Sequence, residues 1–226
     1  MTRLSIVMPV LNEAAGIAAA LAALAPLRAH GAEVIVVDGG SRDGTPDLAH
    51  PLADRVLAAP RGRAVQMNAG ATAATGDAVL FLHADTRLPD DADALVFAAL
   101  TGMRVWGRFD VRFADGALPL VAASMNVRSR LSGIATGDQA MFMTRNAFAR
   151  AGGFPEIALM EDVALSACLK HLSRPACLRV RVTTSPRRWR RHGTLRTVLT
   201  MWRLRLAFYF GADPNRLARA YGYGGN

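Results

Sequence analysis

The stretch AVLFLHADT, residues 78–86, decides the fold, because an apolar run ends there abruptly at His83 and Asp85. Such a run is typical of a buried strand, and a carboxylate just beyond its carboxyl end lies where open α/β sheets bind ligands. Two earlier apolar runs also end in polar groups, one at Glu13 and one at Asp38. We therefore expect three strand ends to meet at one crevice, where Asp85 is a candidate ligand for a metal ion or for phosphate.

Size and composition favour one globular domain with a basic surface. A chain of 226 residues is long enough to bury roughly 70% of its unfolded surface in a single domain. The formal net charge of +9 predicts a surface that attracts nucleotides, nucleic acids or acidic lipids. Lys170 is the only lysine, and the arginines that carry the remaining positive charge suit bidentate contacts with phosphate. A composition biased toward alanine and arginine explains the individual surface arginines equally well.

Cysteine usage and the lack of long apolar runs bear on the location of the protein. Cys168 and Cys177 lack metal-binding spacing and fit reduced, buried thiols. The amino terminus does not have the pattern of a signal peptide, and no apolar run approaches the ~20 residues of a membrane span. We therefore expect a cytoplasmic protein, with the inner face of the membrane as an alternative location.

Strand-like and helix-like runs alternate through the first hundred residues, which predicts βαβ units and a mainly parallel α/β sheet flanked by helices. RVWGRFDVRF, residues 104–113, alternates instead as an antiparallel or mixed strand does. Asn12 is well placed to cap the first helix. The predicted strands span 4–10, 33–38, 55–58, 78–82, 104–113, 140–143 and 178–183, and the predicted helices 14–27, 45–52, 62–75, 89–100, 118–131 and 163–171.

Five short motifs follow one another along the chain. They are PVLNE at 9–13, VDGGSRDGT at 37–45, Gly62 and Arg63 with Gln66, Asn68 and Gly70, HAD at 83–85, and ED at 161–162. Each is weak alone, but in this order and spacing the chain resembles the family 2 glycosyltransferases from about residue 4 to residue 189. The resemblance implies a GT-A fold, a Rossmann-like nucleotide-binding sheet joined to an acceptor-binding part. No G-x-G-x-x-G follows the first strand, which disfavours a dehydrogenase.

By this resemblance the first three motifs bind a nucleotide diphosphate sugar. Pro9 and Glu13 would line the pocket for base and ribose, and Asp38 would accept a hydrogen bond from the base. From the residues alone, Asn12 with Glu13 also suits a helix start, and Arg63 suits helix packing as well as a diphosphate site. The predicted donor-binding residues are Pro9, Asn12, Glu13, Asp38, Gly39, Ser41, Gly62, Arg63, Asn68, Arg187, Arg188 and Trp189.

The HAD motif corresponds to the family's D-x-D element, which binds a divalent cation that bridges the donor phosphates. Asp85 matches its last acid, whereas His83 replaces the first. Magnesium prefers oxygen ligands and manganese also accepts imidazole, so this substitution mildly favours Mn²⁺ over Mg²⁺. A histidine that is satisfied by hydrogen bonds at the strand end is the alternative interpretation of His83.

Three acids are the catalytic candidates. Glu161 and Asp162 resemble the family's acidic pair, whose aspartate is the usual base, so we expect Asp162 to deprotonate the acceptor; charge at a helix start is the alternative. Asp138 is expected near the acceptor, although it suits a turn equally well.

The carboxyl-terminal part carries an R-W element and an amphipathic segment. Arg187, Arg188 and Trp189 are similar to an element by which some family members close over donor or acceptor, and a missing preceding glutamine argues against a polymerising enzyme. Length and the element SPRRW, residues 185–189, are similar to those of a small bacterial subgroup described as acting in arsenosugar biosynthesis.

The sequence therefore predicts an inverting, metal-assisted transfer of a single sugar to the hydroxyl of a small-molecule or lipid acceptor. We expect a single domain over 1–226, with a nucleotide-sugar half at 1–100, an acceptor half at 101–190 and an amphipathic helical segment at 191–226. A sugar-phosphate nucleotidyltransferase is a rival, but it needs an early phosphate-binding lysine that this chain lacks. A non-catalytic basic protein that binds nucleic acid or anionic membrane through 179–219 is the other rival. We expect no nucleic-acid partner, and peripheral contact with an anionic membrane is compatible with catalysis.

Overall fold

The computed structural model describes residues 2–222, except for the side chain of Arg188, and over these residues it shows a mixed eight-stranded sheet flanked by helices. The strands are β1 Leu4–Val10, β2 Glu33–Asp38, β3 Arg55–Ala58, β4 Ala78–Phe81, β5 Thr86–Arg87, β6 Trp106–Phe113, β7 Phe142–Thr144 and β8 Ala176–Thr184. Across the sheet they follow the order β3-β2-β1-β4-β7-β6-β8-β5.

The helices follow the strands closely in the first half of the chain and cluster together near its end. They are α1 Ala14–Ala22, α2 Ala25–Ala29, α3 Thr45–Ala49, α4 Arg63–Ala73, α5 Ala92–Ala99, α6 Pro119–Ser132, α7 Arg145–Arg150, α8 Glu161–Leu172, α9 Arg187–His192, α10 Thr194–Tyr209 and α11 Pro214–Tyr221. Short 3₁₀ turns occupy Ala114–Gly116 and Gly137–Gln139.

Strands β1 to β4 confirm the predicted parallel arrangement. β1 pairs in parallel with β2 and β4, and β2 pairs in parallel with β3. Successive side chains of a strand point to opposite faces, so Ile6 and Met8 join one apolar cluster while Val7 joins the other. Because both faces are covered, every residue of β2 is buried. The carboxyl ends of β1, β2 and β4 therefore lie at one edge.

The second half of the sheet is mixed, as the alternation at 104–113 predicted. β7 runs antiparallel to both β4 and β6, whereas β8 runs parallel to β6 with a register shift between Phe109 and Asp110. The two-residue β5 pairs antiparallel with β8 and was not predicted, because so short a strand has no periodic pattern.

The carboxyl-terminal helices pack beside the start of α8. Leu204 of α10 and Leu217 of α11 form a small buried cluster with Leu159 and Met160, which immediately precede α8. This contact brings the amphipathic segment predicted at 191–226 against the body of the protein, although residues 223–226 lie outside the described part of the chain.

Two predictions, one about the first helix and one about the cysteines, are wrong. The helix expected at 14–27 is two helices, because Pro26 has no N–H for a bond to the preceding turn and stands instead in the first turn of α2. Cys168 is exposed rather than buried, since it lies on the outer face of α8, and Cys177 is partly buried.

Candidate functional site

Two adjoining cavities open where the carboxyl ends of β1 and β4 meet the second half of the chain. The first, about 820 Å³, is lined on one side by Pro9 and Glu13. The second, about 640 Å³, extends from there toward α6 and α10. Arg63, His83 and Asp85 line both cavities, so they mark the junction between them.

Asp38 ends β2 as predicted and is almost fully buried, with 6% of its surface exposed. Its Oδ2 atom accepts hydrogen bonds from the backbone N–H groups of Gly40 and Ser41, at 2.9 and 3.0 Å. Its Oδ1 atom is buried and has no hydrogen-bond partner among the described residues. Gly39 permits a close approach, because a Cβ atom there would lie 2.9 Å from Oε1 of Gln66.

Asn12 and Ser41 connect two loops and do not line either cavity. The Asn12 N–H donates to Oγ of Ser41, and Oδ1 of Asn12 accepts from the N–H of Arg42. Asn12 has a φ of 53°, outside the helix, and Glu13 precedes α1 without a side-chain cap. The predicted cap is therefore wrong, because the Asn12 side chain is turned toward the neighbouring loop.

Asn68, which was predicted as a donor-binding residue, lines neither of the two cavities. Its carboxamide donates to the carbonyl of Phe154 at 2.8 Å and accepts from the N–H of the same residue at 2.9 Å. These two bonds join α4 to the loop before α8. Asn68 and Arg63 belong to the same helix, but their separation of five residues turns the two side chains about 140° apart, and Asn68 meets the loop before α8.

His83 faces Asp138 at the junction, with Nδ1 and Oδ1 3.5 Å apart. A Cβ atom on Gly137 would lie 2.5 Å from Nε2 of His83, so both ring nitrogens face the segment 137–138. Burial lowers the pKa of His83, but the contact with Asp138 and the charge of Asp85 outweigh it and raise that pKa overall.

The pKa values of the two carboxylates beside His83 shift in opposite directions. Burial raises the pKa of Asp85, with a further contribution from the charges of Asp138 and Glu13. Burial would also raise the pKa of Asp138, but the hydrogen bond and charge of His83, together with Arg63, lower it overall. The junction therefore holds an ionised Asp138 beside His83, and an Asp85 whose ionised form burial disfavours although the charges of His83 and Arg187 favour it.

Glu161 and Asp162 begin α8 as predicted but have different surroundings. Glu161 is buried, with Oε1 3.0 Å from Nε of Arg63 and with Oε2 lacking a partner among the described residues. Burial raises the pKa of Glu161, although the charge of Arg63 opposes that effect. Asp162 lines the second cavity and accepts N–H bonds from Gly137 at 2.8 Å and from Val163 at 2.7 Å. These bonds fix the orientation of a carboxylate that remains accessible to a ligand.

Helix α9 closes one side of the junction. Nη2 of Arg187 lies 3.1 Å from Oε1 of Glu13, which connects the R-W element to the first strand end. The ring of Trp189 packs edge-on against Phe113, with ring centroids 5.7 Å apart. The side chain of Arg188 lies outside the described part of the structure.

The motifs did not indicate two arginines of the second cavity. Arg128 of α6 and Arg205 of α10 both line it, and both have buried nitrogen atoms without hydrogen-bond partners in the described structure. Arg205 belongs to the arginine-bearing amphipathic segment, but the pattern there did not distinguish it from the exposed Arg196 and Arg203. Arg128 had no comparable signal.

The described residues contain no group of three or more His, Cys, Asp and Glu side chains arranged to hold a metal ion. Asp85 remains the candidate protein ligand, because the other carboxylate at the junction, Asp138, faces His83. Divalent cations at phosphate sites are often bound by one or two carboxylates, with substrate oxygens completing the coordination. The residues present therefore fit a cation that arrives with a phosphate ligand.

Residues 5–149 match the model of the family described as glycosyl transferase family 2. The chain belongs to this family. It is an enzyme that transfers a sugar from a nucleotide sugar. The matched segment contains the first four predicted motifs, whereas Asp162 lies beyond it. No curated protein sequence matches the enzyme.

Solved structures confirm the GT-A fold. A mannosyltransferase from Pyrobaculum calidifontis, in complex with GDP-Man and Mn²⁺, is 21% identical with a TM-score of 0.68, and the match covers 98% of this enzyme and 69% of that chain. Glucosyl-3-phosphoglycerate synthase from Mycobacterium tuberculosis, with Mn²⁺, UDP and its product, is 23% identical with a TM-score of 0.60, covering 81% and 71%. S. aureus TarS with UDP-GlcNAc is 16% identical with a TM-score of 0.65, covering 81% of this enzyme and 58% of that chain. Within residues 2–222, no helix of the enzyme has the length and apolar character that a bilayer crossing requires.

Proposed function

We propose that the enzyme is an inverting glycosyltransferase that moves one sugar from a nucleoside diphosphate sugar to an acceptor hydroxyl, assisted by a divalent cation. The observation that carries this proposal is the junction between the two cavities. Glu13 lines only the first cavity and Asp162 only the second, whereas Asp85 lines both. A donor in the first cavity and an acceptor in the second would meet beside Asp85, and holding them together supplies about 7 to 11 kcal/mol of the barrier reduction.

The donor would occupy the first cavity, which residues of the 1–100 half mainly build. Glu13 lines this cavity and can accept a hydrogen bond from a ribose hydroxyl. Asp38 does not line it, and its buried, unpartnered Oδ1 would accept a hydrogen bond from the base only if the base reached the end of β2. Arg63 at the start of α4 supplies positive charge beside the place where a diphosphate would lie. Residues 101–190 would hold the acceptor, and the helices at 191–226 would complete its cavity.

Mn²⁺ or Mg²⁺ would be held by Asp85 and by the donor's own diphosphate. A cation here would neutralise the charge that develops on the departing diphosphate. The pKa of Asp85 is raised chiefly by burial, with Asp138 and Glu13 adding to the rise and His83 and Arg187 opposing it, and a bound cation would stabilise the ionised form. His83, whose ring nitrogens face residues 137–138, suits a positioning role better than metal ligation.

Asp162 would act as the base. The proton of the acceptor hydroxyl passes to its carboxylate while the acceptor oxygen forms a bond to the anomeric carbon. On the opposite side of that carbon, the bond to the diphosphate oxygen breaks and the nucleoside diphosphate departs with the electron pair, which inverts the configuration. The N–H groups of Gly137 and Val163 occupy one lone pair on each oxygen of Asp162, and the remaining lone pairs can accept the proton.

Transfer of one sugar, without polymerisation, is the reaction that the sequence of the R-W element supports. The same element and the length of the chain support membership of the arsenosugar-related subgroup, and that assignment predicts a small-molecule acceptor. An assay of product length with the acceptor in excess tests the first point, since products longer by two or more sugars contradict it.

Replacement of Asp162 tests the proposal directly. Asp162→Asn should lower kcat about a hundred- to ten-thousand-fold, the usual contribution of a positioned base, while the affinity for nucleoside diphosphate with Mn²⁺ stays within a factor of two or three. Asp47→Asn, an exposed carboxylate on α3, is the matched control and should retain full activity. Turnover by Asp162→Asn at the wild-type rate would remove the assigned base.

We also propose that α10 contacts an anionic membrane surface. Leu195, Leu199, Trp202, Leu206 and Tyr209 form an exposed apolar stripe on this helix, each with at least 60% of its surface accessible. Exposed arginines on the same helix flank the stripe, at 196 and 203. Apolar residues with neighbouring positive charge are typical of helices that lie in the interface of an anionic bilayer.

Vesicle binding tests this contact. The enzyme should sediment with phosphatidylglycerol vesicles and not with phosphatidylcholine vesicles, and Leu199→Glu with Leu206→Glu should abolish binding. Leu131→Glu, at a still more exposed position on α6, should bind as the wild type does. If the α10 changes instead abolish a concentration-dependent dimer and leave vesicle binding unaltered, the stripe is a contact between copies and the membrane proposal is overturned.

A further inference from the structure

The second cavity contains two arginines that the proposed reaction does not use. Arg128 projects from α6 and Arg205 from α10, and both line the cavity in which Asp162 is found. Nε and Nη2 of Arg128 and Nε of Arg205 are buried, and they have no hydrogen-bond partner among the described residues. Buried donors without partners are rare in folded proteins, because each has lost its hydrogen bonds to water.

The charges of the two arginines are also incompletely balanced. Burial and the charge of Arg205 lower the pKa of Arg128 to about 10, although Asp162 and Asp138 act in the opposite direction. Burial lowers the pKa of Arg205 as well, again against the effect of the same two carboxylates. The cavity therefore favours the arrival of negative charge close to both guanidinium groups.

The scaffold holds both arginines in place. Asn126 fixes α6 to β6, since its carboxamide accepts from the N–H of Val111 at 2.9 Å and donates to the carbonyl of Val111 at 3.0 Å. On the opposite side, Leu204 anchors α10 in the buried cluster with Met160. The two guanidinium groups are thus presented to the cavity by separate helices, each packed against the rest of the protein.

We propose that Arg128 and Arg205 bind an anionic oxygen group, a carboxylate or a phosphate, on the acceptor and so direct its hydroxyl toward Asp162. This proposal rests on the proposed function and names its acceptor class. Arginine is suited to such groups, because its planar guanidinium binds two oxygens at once. The two arginines do not line the first cavity, which separates this site from the one assigned to the donor. A cavity of about 640 Å³ has the size of a small-molecule site.

Binding of inorganic phosphate tests the site without knowledge of the acceptor. At constant ionic strength, phosphate should raise the Tm of the wild type, because a ligand that binds only the folded state stabilises it. Arg128→Met with Arg205→Met should weaken the apparent affinity for phosphate about tenfold to a hundredfold, as expected for lost hydrogen bonds to a charged group. Arg150→Met with Arg174→Met removes the same charge from exposed positions that do not line the second cavity and should leave the affinity unchanged.

Two further measurements make the outcome decisive. Affinity for nucleoside diphosphate with Mn²⁺ should be the same in the Arg128/Arg205 variant and the wild type, so failure of this proposal is distinguishable from failure of the donor site. A short-chain phosphatidic acid, used below its micelle concentration, distinguishes a lipid phosphate from a free one. If it competes with inorganic phosphate at a lower concentration, the anion is that of a lipid acceptor; if not, it is that of a water-soluble one. The proposal is overturned if phosphate does not raise the Tm of the wild type, or if both pairs of variants lose affinity equally.

Discussion

The imidazole of His83 and the carboxylate of Asp138 face each other at the junction of the two cavities, with Nδ1 3.5 Å from Oδ1. Each group shifts the other in the direction expected of an ion pair: the pKa of His83 is raised and that of Asp138 is lowered, although burial opposes both changes. The pair places a positive charge next to Asp85, where the proposed reaction accumulates negative charge.

Asp138→Asn should lower the pKa of His83, because the amide removes the negative charge that favours the imidazolium. An NMR titration of the imidazole should give a value above the ordinary value of about 6.5 in the wild type and a lower one in the variant. Asp115→Asn, an exposed site on the 3₁₀ turn before α6, should leave the titration unchanged. Equal His83 pKa values in wild type and Asp138→Asn would contradict the ion pair.

The same pair predicts a pH window for folding stability. A raised pKa of His83 contributes stability below about pH 6.5, and this contribution is lost as pH rises through the folded pKa. A lowered pKa of Asp138 contributes stability above about pH 4, and this is lost as pH falls through its folded pKa. The Tm difference between wild type and Asp138→Asn should therefore be largest between about pH 4 and 6.5. A difference that grows steadily above pH 8 would contradict this assignment.

Gly137→Ala should impair catalysis with little loss of folding. A methyl group there would lie 2.5 Å from Cε1 and Nε2 of His83, so the imidazole must move away from Asp138 and the N–H bond to Asp162 is disturbed. We expect kcat to fall at least about tenfold, since small misplacements of catalytic groups have large effects on rate.

Gly16→Ala is the matched control for that change. Gly16 is exposed within α1 and has open space where a Cβ atom would project. Alanine at a helix interior stabilises by about 0.5 to 1 kcal/mol relative to glycine, so the Tm should rise while kcat is unchanged. Wild-type activity in Gly137→Ala would show that the close contact between residue 137 and His83 does not position the imidazole for catalysis.

Arg63→Met should destabilise the fold by about 1 to 3 kcal/mol at neutral pH, because it leaves the buried carboxylate of Glu161 without its cation. Burial already raises the pKa of Glu161, so the folded protein binds this proton more tightly than the unfolded chain. Stability conferred by protonation is lost as pH rises, and the defect of Arg63→Met should shrink as pH falls toward about 4.3. Urea denaturation over a pH series measures this.

The double variant Arg63→Met with Glu161→Gln separates charge from packing. Glutamine keeps the shape of the side chain without its charge, and it should restore most of the stability lost in Arg63→Met. If the double variant is as unstable at neutral pH as Arg63→Met, packing around Arg63 accounts for the loss and the charge argument is wrong.

Arg187→Ala should affect the donor more than the fold. In its ion pair with Glu13 the arginine side chain is 68% exposed, so the pair contributes less than about 1 kcal/mol to folding. The pair joins α9 to the end of β1 beside the first cavity, so its loss should raise the Kd for nucleoside diphosphate about tenfold by calorimetry. Arg190 lies on the same helix as Arg187 and forms an exposed ion pair with Asp115. Arg190→Ala removes that pair and should leave the Kd for nucleoside diphosphate unchanged. Equal effects of the two substitutions would contradict a specific role for Arg187.

The local sequence pattern was sufficient to predict much of the fold. The bounds predicted for β1, β2 and β3 agree with the structure, because each strand is a short apolar or β-forming run bounded by turn residues. The meeting of strand ends beside Asp85 also followed, since parallel strands place their carboxyl ends at one edge. Two-residue β5 and the break before Pro26 had too weak a pattern to be predicted.

Motif order alone determined the family and the candidate residues at 9–13, 37–45, 83–85 and 161–162. Tertiary packing decided what each side chain meets. It turned Asn68 toward Phe154, set His83 against Asp138, and brought Arg128 and Arg205 from helices 77 positions apart in sequence into one cavity. The physical reason is that a strand or helix forms from the periodicity of neighbouring residues, whereas charge balance in a cavity depends on which distant elements pack together.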